Sequence, residues 1–154
     1  MVAGEVLAKA SGMSCEDFIE TRIMKPLGFT TSKASWARVA DKSNTIDAHA
    51  PADGKIIVIP HDWCETVNAA GGIMSNLTDL GKWIIMQMNN GKYGDNLSKR
   101  LFSEEVHEEM RTPQTIIHVQ ERTAYNTHFS AYGLGRFLRD VKGYESEQNT
   151  RGSA

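Results

Sequence analysis

Apolar positions along this chain recur at helical spacing near both ends of its first half and again beyond its middle. Val2, Ala3, Val6, Leu7 and Ala10 lie on one face of a helix, and Gly12 suits the left-handed position that closes it. Ser14 opens a second helix with Asp17 three residues on, as in a short capping box. Phe18, Ile19, Ile23 and Met24 give that helix its apolar face, and Pro26-Leu27-Gly28 stops it. The two helices stand so close in sequence that they form a hairpin or corner.

From Thr30 to Thr66 the helical signal is lost. Asn44, Asp47, Pro51, Asp53-Gly54 and Pro60 punctuate the stretch, and only Lys55 to Ile59 reads as a strand. Helical order returns after Asn68-Ala-Ala-Gly71-Gly72. Ser75 or Asn76 caps the next helix, Asp79 is the reciprocal partner of Asn76, and Asn89-Asn90-Gly91 ends it. Within it Leu77, Leu80, Trp83, Ile84 and Met88 follow the helical period, with Gln87 as a polar exception. Ser103 opens a further helix with Glu104 and Glu105 in its first turn, Arg111 near its end and Pro113 beyond. Tyr132 to Asp140 reads as one strand, Val141-Lys-Gly143 as a turn, and Tyr144 to Gln148 as the returning strand of a hairpin. The pattern predicts a mainly helical α+β domain with a C-terminal β-hairpin.

Composition narrows the functional classes without choosing one. The 154 residues suit a single domain, and their formal charge of -2 argues against nucleic-acid binding through bulk positive charge. Hydrophobic residues at 40% and charged residues at 23% describe an ordinary folded domain. The longest apolar runs are far too short to span a bilayer, and the first ten residues lack the basic start and apolar segment of a secretory signal. Cys15 and Cys64 allow one bridge at most, so no disulfide framework is present.

Motifs that carry chemistry are mostly missing. There is no G-x-S-x-G elbow, no phosphate-binding loop, no Rossmann glycine pattern and no Ser-x-x-Lys. Thr30-Thr-Ser-Lys33 imitates the last of these, but a loop threonine with no second base nearby is a poor nucleophile. His49, His61 and Cys64 fall short of a zinc set, and His107-Glu108-Glu109 lacks the second histidine of a zincin. No metal or cofactor is expected. Trp83, Met86 and Met88 read as core or domain-facing residues rather than as a ligand site.

Blocks spread along the chain resemble a known family. Gly4 to Ser14, Phe18-Ile-Glu20 and Ile23-Met-Lys-Pro-Leu-Gly-Phe-Thr30 come first. Ala69-Ala-Gly-Gly-Ile-Met-Ser75, Thr78-Asp-Leu80 and Trp83 follow, then Asn90-Gly-Lys-Tyr-Gly94, Thr112-Pro-Gln114 and Tyr132-Gly-Leu-Gly135. In order and spacing these are similar to the penicillin-binding-protein-like serine hydrolases, which include class C β-lactamases, D-alanyl-D-alanine carboxypeptidases, D-aminopeptidases and esterases.

The resemblance implies the helical subdomain and the start of the sheet of that fold, as a middle piece covering residues 1–154. It places the family's nucleophilic serine and lysine, on Ser-x-x-Lys, upstream of this chain, with Tyr-x-Asn just before the position of Met1. The third motif, Lys-Thr-Gly or His-Thr-Gly, falls where this sequence reads Gln148-Asn-Thr-Arg-Gly152, so Asn149 and Thr150 stand in for its first two residues. Arg151 replaces the expected glycine, and Arg136 replaces the aromatic that usually follows Tyr-Gly-Leu-Gly. The implied substrate-cleft candidates are therefore Asn149, Thr150, Gly71 and Gly72, with no catalytic residue in the chain. For Gly71 and Gly72, a tight turn feeding the next helix is an equal reading. The full-length enzyme would act outside the cytoplasm on a small-molecule or peptidoglycan-like substrate, with β-lactam resistance among the implied roles. The alternative is a binding or scaffolding module that keeps the helical fold without catalysis. Apolar surface on the Tyr132–Leu138 strand and the Leu77–Met88 helix should lack cover in the isolated chain, which implies a homo-oligomer.

Overall fold

The computed structural model describes residues 2–59, 65–119 and 127–148. The chain forms two compact units, residues 1–84 and 85–154. In the first, α1 (Val2–Ser11) ends on Gly12, whose positive φ lets its amide donate back to Ala8. Gly4 is the buried residue of α1, and a Cβ there would come within 2.6 Å of Ala69 Cβ, so this face needs a glycine for close approach.

The Ser14 hydroxyl caps α2 (Cys15–Ile19) by accepting the Asp17 amide at 3.0 Å, as the sequence implies. The Asp17 carboxylate completes no box. It takes Arg38 at 2.8 Å instead, and that guanidinium, with the Ser14 contact, holds Asp17 below the usual carboxylate range. The helix then loosens into a π-helical turn over Glu20–Met24, closed by the Lys25 amide on the Glu20 carbonyl. Met24 and Leu27 are buried here, while Phe18, Ile19 and Ile23 are half-buried.

The region expected to hold one strand holds two. β1 (Ala48–Ala52) pairs antiparallel with β2 (Lys55–Ile59) in full register, through a turn in which Asp53 and Gly54 both have positive φ. That Asp-Gly pair is the turn a two-residue hairpin favours. β1 escapes a sequence reading because His49 and Pro51 interrupt its apolar pattern, and Pro51 donates nothing to the ladder. A 3-10 turn at Trp36–Arg38 precedes the hairpin, and another at Glu65–Val67 leads into α3 (Asn68–Gly71). α4 (Leu77–Met88) follows at the expected place.

In the second unit β3 (Lys92–Tyr93) pairs with β4 (Lys99–Arg100). The Ser103 hydroxyl caps α5 (Glu104–Arg111) through the Val106 amide at 3.2 Å. Four strands follow as an antiparallel meander in the order β5-β6-β7-β8: Thr115–Ile116, Ser130–Tyr132, Phe137–Val141 and Tyr144–Gln148. The segment read from sequence as one strand is therefore cut in two. The Gly133 amide donates to the Arg136 carbonyl at 2.9 Å and Gly135 takes a positive φ, which reverses the chain and sets Tyr132 opposite Phe137. Gly133 also lies so close to α5 that a Cβ would sit 2.7 Å from the Met110 carbonyl oxygen. The expected turn before Tyr144 is present, with Lys142 and Gly143 both at positive φ.

Burial divides the apolar residues of α4: Met86 is fully buried, whereas Met88 is 78% exposed and Leu77 is 90% exposed, in keeping with a helix that lacks cover. On the sheet, Leu138 is buried although the sequence suggests an uncovered strand, whereas Leu134 remains open. The side chain of His107 is enclosed, its ring stacked on Phe102 at 6.1 Å. That is a packing histidine, not the start of a zincin. No helix among the described residues is long and apolar enough to cross a membrane.

Candidate functional site

The densest polar constellation of the first unit is built around Asp79, in the first turn of α4. Its side chain is fully buried. The amide of Thr30 reaches both carboxylate oxygens at 3.0 and 3.1 Å, and the amides of Thr31 and Ser32 each reach Oδ2 at 3.2 Å. The Ser32 hydroxyl donates to the same oxygen at 2.7 Å, and Lys82 Nζ approaches Oδ1 at 3.2 Å. Asn76 closes the group by accepting the Asp79 amide on Oδ1 and donating from Nδ2 to the carboxylate and to Thr31 Oγ1. Burial alone pushes this carboxyl up. The Ser32 hydroxyl, the Thr30 and Thr31 amides and Lys82 outweigh it and hold Asp79 far below the usual carboxylate range.

The result is a clasp between the 30–32 loop and the start of α4. Two neighbouring links extend it. Lys33 and Met74 exchange backbone hydrogen bonds at 2.9 Å in each direction, and the Ser32 and Ser75 hydroxyls lie 2.8 Å apart. The Lys82 ammonium also donates to the Gly28 carbonyl, in the turn that follows the π-helical segment. Thus the chain from Gly28 to Lys33 and the chain from Met74 to Lys82 are tied at several points.

Sequence reasoning missed this clasp. It paired Asp79 with Asn76, which is correct, but assigned no role to the carboxylate beyond the cap. It also weighed Thr30-Thr-Ser-Lys33 as a failed catalytic motif. Consecutive small hydroxyl residues before a chain reversal, together with Ser75-Asn76-x-x-Asp79, were the available signal. Asp79 is no general base for Thr30, although Thr30 Oγ1 lies 3.4 Å from it. A carboxylate saturated with donors and held so acidic has little affinity for a proton.

Of the expected cleft residues, Gly71 ends α3 and Gly72 follows it as the C-cap in right-handed helical conformation, its amide donating to the Asn68 carbonyl at 2.8 Å. Neither glycine is needed for a positive φ. Gly72 is required for space, because a Cβ there would meet Asn68 atoms at 2.5–2.8 Å, whereas a Cβ on Gly71 meets nothing within 4 Å. Asn149 and Thr150 lie outside the described residues, as do His61 and Cys64. His49 sits exposed in β1, and Cys15 is a free, half-buried thiol that burial pushes up. Among the described residues no three His, Cys, Asp or Glu side chains gather to hold a metal ion.

The helical segments with small antiparallel sheets, ending in the β5–β8 meander, define the β-lactamase and penicillin-binding-protein-like fold. The family model described as Beta-lactamase matches residues 1–151, and the chain belongs to that family. Its structure is similar to the octameric penicillin-binding protein homologue from Pyrococcus abyssi, with a TM-score of 0.74 and 22% identity, over 92% of this chain and 29% of that one. It is also similar to a candidate beta-lactamase from Bacteroides dorei DSM 17855, with a TM-score of 0.50 and 19% identity, over 96% of this chain and 47% of that one. The chain therefore spans less than half the length of either structure. No curated protein matches it in sequence.

Proposed function

We propose that this chain is the helical part, with a portion of the sheet, of a serine hydrolase that forms an acyl-enzyme with a β-lactam, a D-amino-acid peptide or an ester, and that alone it does not turn over substrate. The reading is carried by one pairing: membership of the beta-lactamase family over residues 1–151 in a sequence that holds neither Ser-x-x-Lys nor Tyr-x-Asn. Acyl transfer needs a nucleophile, its base and an oxyanion site within about 3 Å of the reacting carbonyl. The hydroxyl residues at 30–32 are spent on the Asp79 clasp instead, which serves architecture. In an acyl-transfer enzyme, loss of the nucleophile costs about a millionfold in turnover.

The test is direct. The 154-residue chain should neither hydrolyse a chromogenic cephalosporin or p-nitrophenyl acetate above background nor label with a fluorescent penicillin. Stoichiometric labelling, with an adduct mapped to Thr30 or Ser75, would overturn the proposal. The upstream reading frame gives a second check. Ser-x-x-Lys and Tyr-x-Asn encoded there support the hydrolase, and a natural start at Met1 favours a binding module. The same reading carries extracytoplasmic action, tested by a reporter active only outside the cytoplasm, and self-association of the chain, tested by light scattering. The octameric assembly of the Pyrococcus homologue and the exposed Leu77 and Met88 support the second of these.

A further inference from the structure

A sheet edge can take up a strand from another chain, and folded proteins blunt such edges with charge, proline or short length. Most edges of this protein are blunted. β3, β4 and β5 have two residues each, β8 carries Glu145 and Glu147, and β1 carries Pro51. β2, Lys55-Ile-Ile-Val-Ile59, differs. Its one charge stands at its first position, it has neither proline nor bulge, and all five residues are exposed.

Hairpin geometry dictates which backbone groups that edge presents. Across the two-residue turn Ala52 and Lys55 form the first hydrogen-bonded pair, and bonded and non-bonded pairs alternate from there. Ala50–Ile57 and Ala48–Ile59 are therefore bonded, whereas the Pro51–Ile56 and His49–Val58 pairs turn their backbone polar groups outward. Pro51 stands where its missing N–H costs the ladder nothing, and it removes a donor from the outer edge of β1. On the opposite edge Ile56 and Val58 keep both donors and both acceptors, and neither makes a further backbone hydrogen bond among the described residues.

We propose that β2 joins two copies of this chain, edge to edge and antiparallel about a two-fold axis at Ile57, which rests on the self-association proposed above and locates it on this strand. In that register the strand is complementary to itself. Ile57 meets its own copy as a non-bonded pair, and Ile56 meets Val58 of the second copy in a pair that exchanges both hydrogen bonds. The side chains along the seam are then isoleucine and valine, a favourable cross-strand pairing. The two Lys55 ammoniums fall at opposite ends, at least about 13 Å apart along the strand, and are screened from each other at physiological salt. The same operation on β8, about Ser146, would set Glu145 against Glu147 and oppose like charges. One strand per copy is a small contact, so the dimer is weak and the dilute chain is monomeric. It also closes at two, because the Pro51 edge of β1 cannot repeat the full pairing.

Amide hydrogen exchange of the 154-residue chain, followed from about 10 µM to about 1 mM, reads the contact without any substitution. Exchange at Ile56 and Val58 should slow about fivefold over that range while His49 is unchanged. Disulfide trapping gives a second readout, with Cys15 and Cys64 replaced by serine. Ile57→Cys should link two copies on mild oxidation, since the Cα atoms of a non-bonded pair lie about 4.5 Å apart, within disulfide range. Ile56→Cys, diagonal to its own copy, and Leu77→Cys on α4 should each link at least about tenfold more slowly. Slow exchange at Ile56 and Val58 that ignores concentration would mean that another segment of the polypeptide covers the edge, and would overturn the proposal. So would a dimer, seen by light scattering, that leaves those amides fast or that Leu77→Cys traps better than Ile57→Cys. Self-association would then stand with its contact elsewhere. A chain that scatters as a monomer at about 1 mM would defeat both readings.

Discussion

Asp79 and Asp140 are set the same task in two different surroundings. Each gathers backbone amides from a segment distant in sequence: residues 30–32 for Asp79, residues 128 and 129 for Asp140. Asp79 does so with no exposed surface and with four side-chain atoms also engaged on its carboxylate, Thr30 Oγ1, Ser32 Oγ, Asn76 Nδ2 and Lys82 Nζ, whereas the Asp140 side chain keeps 21% of its surface and shares its charge with one histidine ring. A carboxylate can thus organise an irregular corner wherever amides point inward, but the depth of burial sets what depends on it. Around Asp79 the described residues form no ladder beyond the single Lys33–Met74 bridge. Around Asp140 the β5–β8 ladder and buried Leu138 do much of the holding.

The strongest way to break this comparison is to delete both carboxylates. Asp79→Ala should lose about 3–5 kcal/mol of stability, because three amides, a serine hydroxyl and Lys82 are left without their acceptor in a dry site. Asp140→Ala should cost clearly less, since water reaches its partners. Urea denaturation midpoints read both, and equal losses would sink the contrast. Next in size is the test of what replaces the clasp in the second unit. Leu138→Ala should cost about 2–5 kcal/mol as a core truncation, while Ile57→Ala in the exposed β2 should stay within about 0.5 kcal/mol. A large loss from Ile57→Ala would mean that the first hairpin is packed rather than free.

Smaller again is Ser32→Ala, which removes one donor to Asp79 and the Ser75 contact, with an expected loss of about 1.5–3 kcal/mol. Hydrogen exchange should speed at the Thr31 and Lys33 amides and stay unchanged on β7. The mildest effect is acid titration. The His128 ring, with the Phe129 and His128 amides, lowers Asp140 from 3.8 to about 2. Its folded value lies below its unfolded one, so its contribution is complete above pH 4 and is lost as pH falls towards 2. Asp79 is held lower still and gives way later. Carbon-detected NMR of the two carboxyls should therefore show Asp140 protonating first, and the reverse order would contradict the geometry.

Helices and caps were legible in the residues because they are local. Gly12, Ser14, Asn76 and Ser103 all sit where their short-range chemistry places them. The Lys142-Gly143 turn was legible for the same reason. β1 and the break at Gly133–Arg136 were not. Pro51 hides a strand whose partner supplies the pattern, and Tyr132 to Asp140 has residues suited to one long strand until Gly133 meets α5. Candidate site residues fared unevenly. Gly72 is spatially required, yet by contact with Asn68 and not by a turn, and Asp79 was visible as a cap but not as a clasp.

By itself the sequence determined the helical segments, the second hairpin, the absence of a Ser-x-x-Lys nucleophile and the family, because each depends on residues near one another or on ordered blocks. Tertiary structure alone decided which carboxylate is buried, which of Met86 and Met88 faces inward, and that the buried Nε of Arg139 lacks an acceptor. Those outcomes depend on what distant segments bring to the same place. Thr30 and Asp79, 49 positions apart, share one hydrogen-bonded corner that no local pattern encodes.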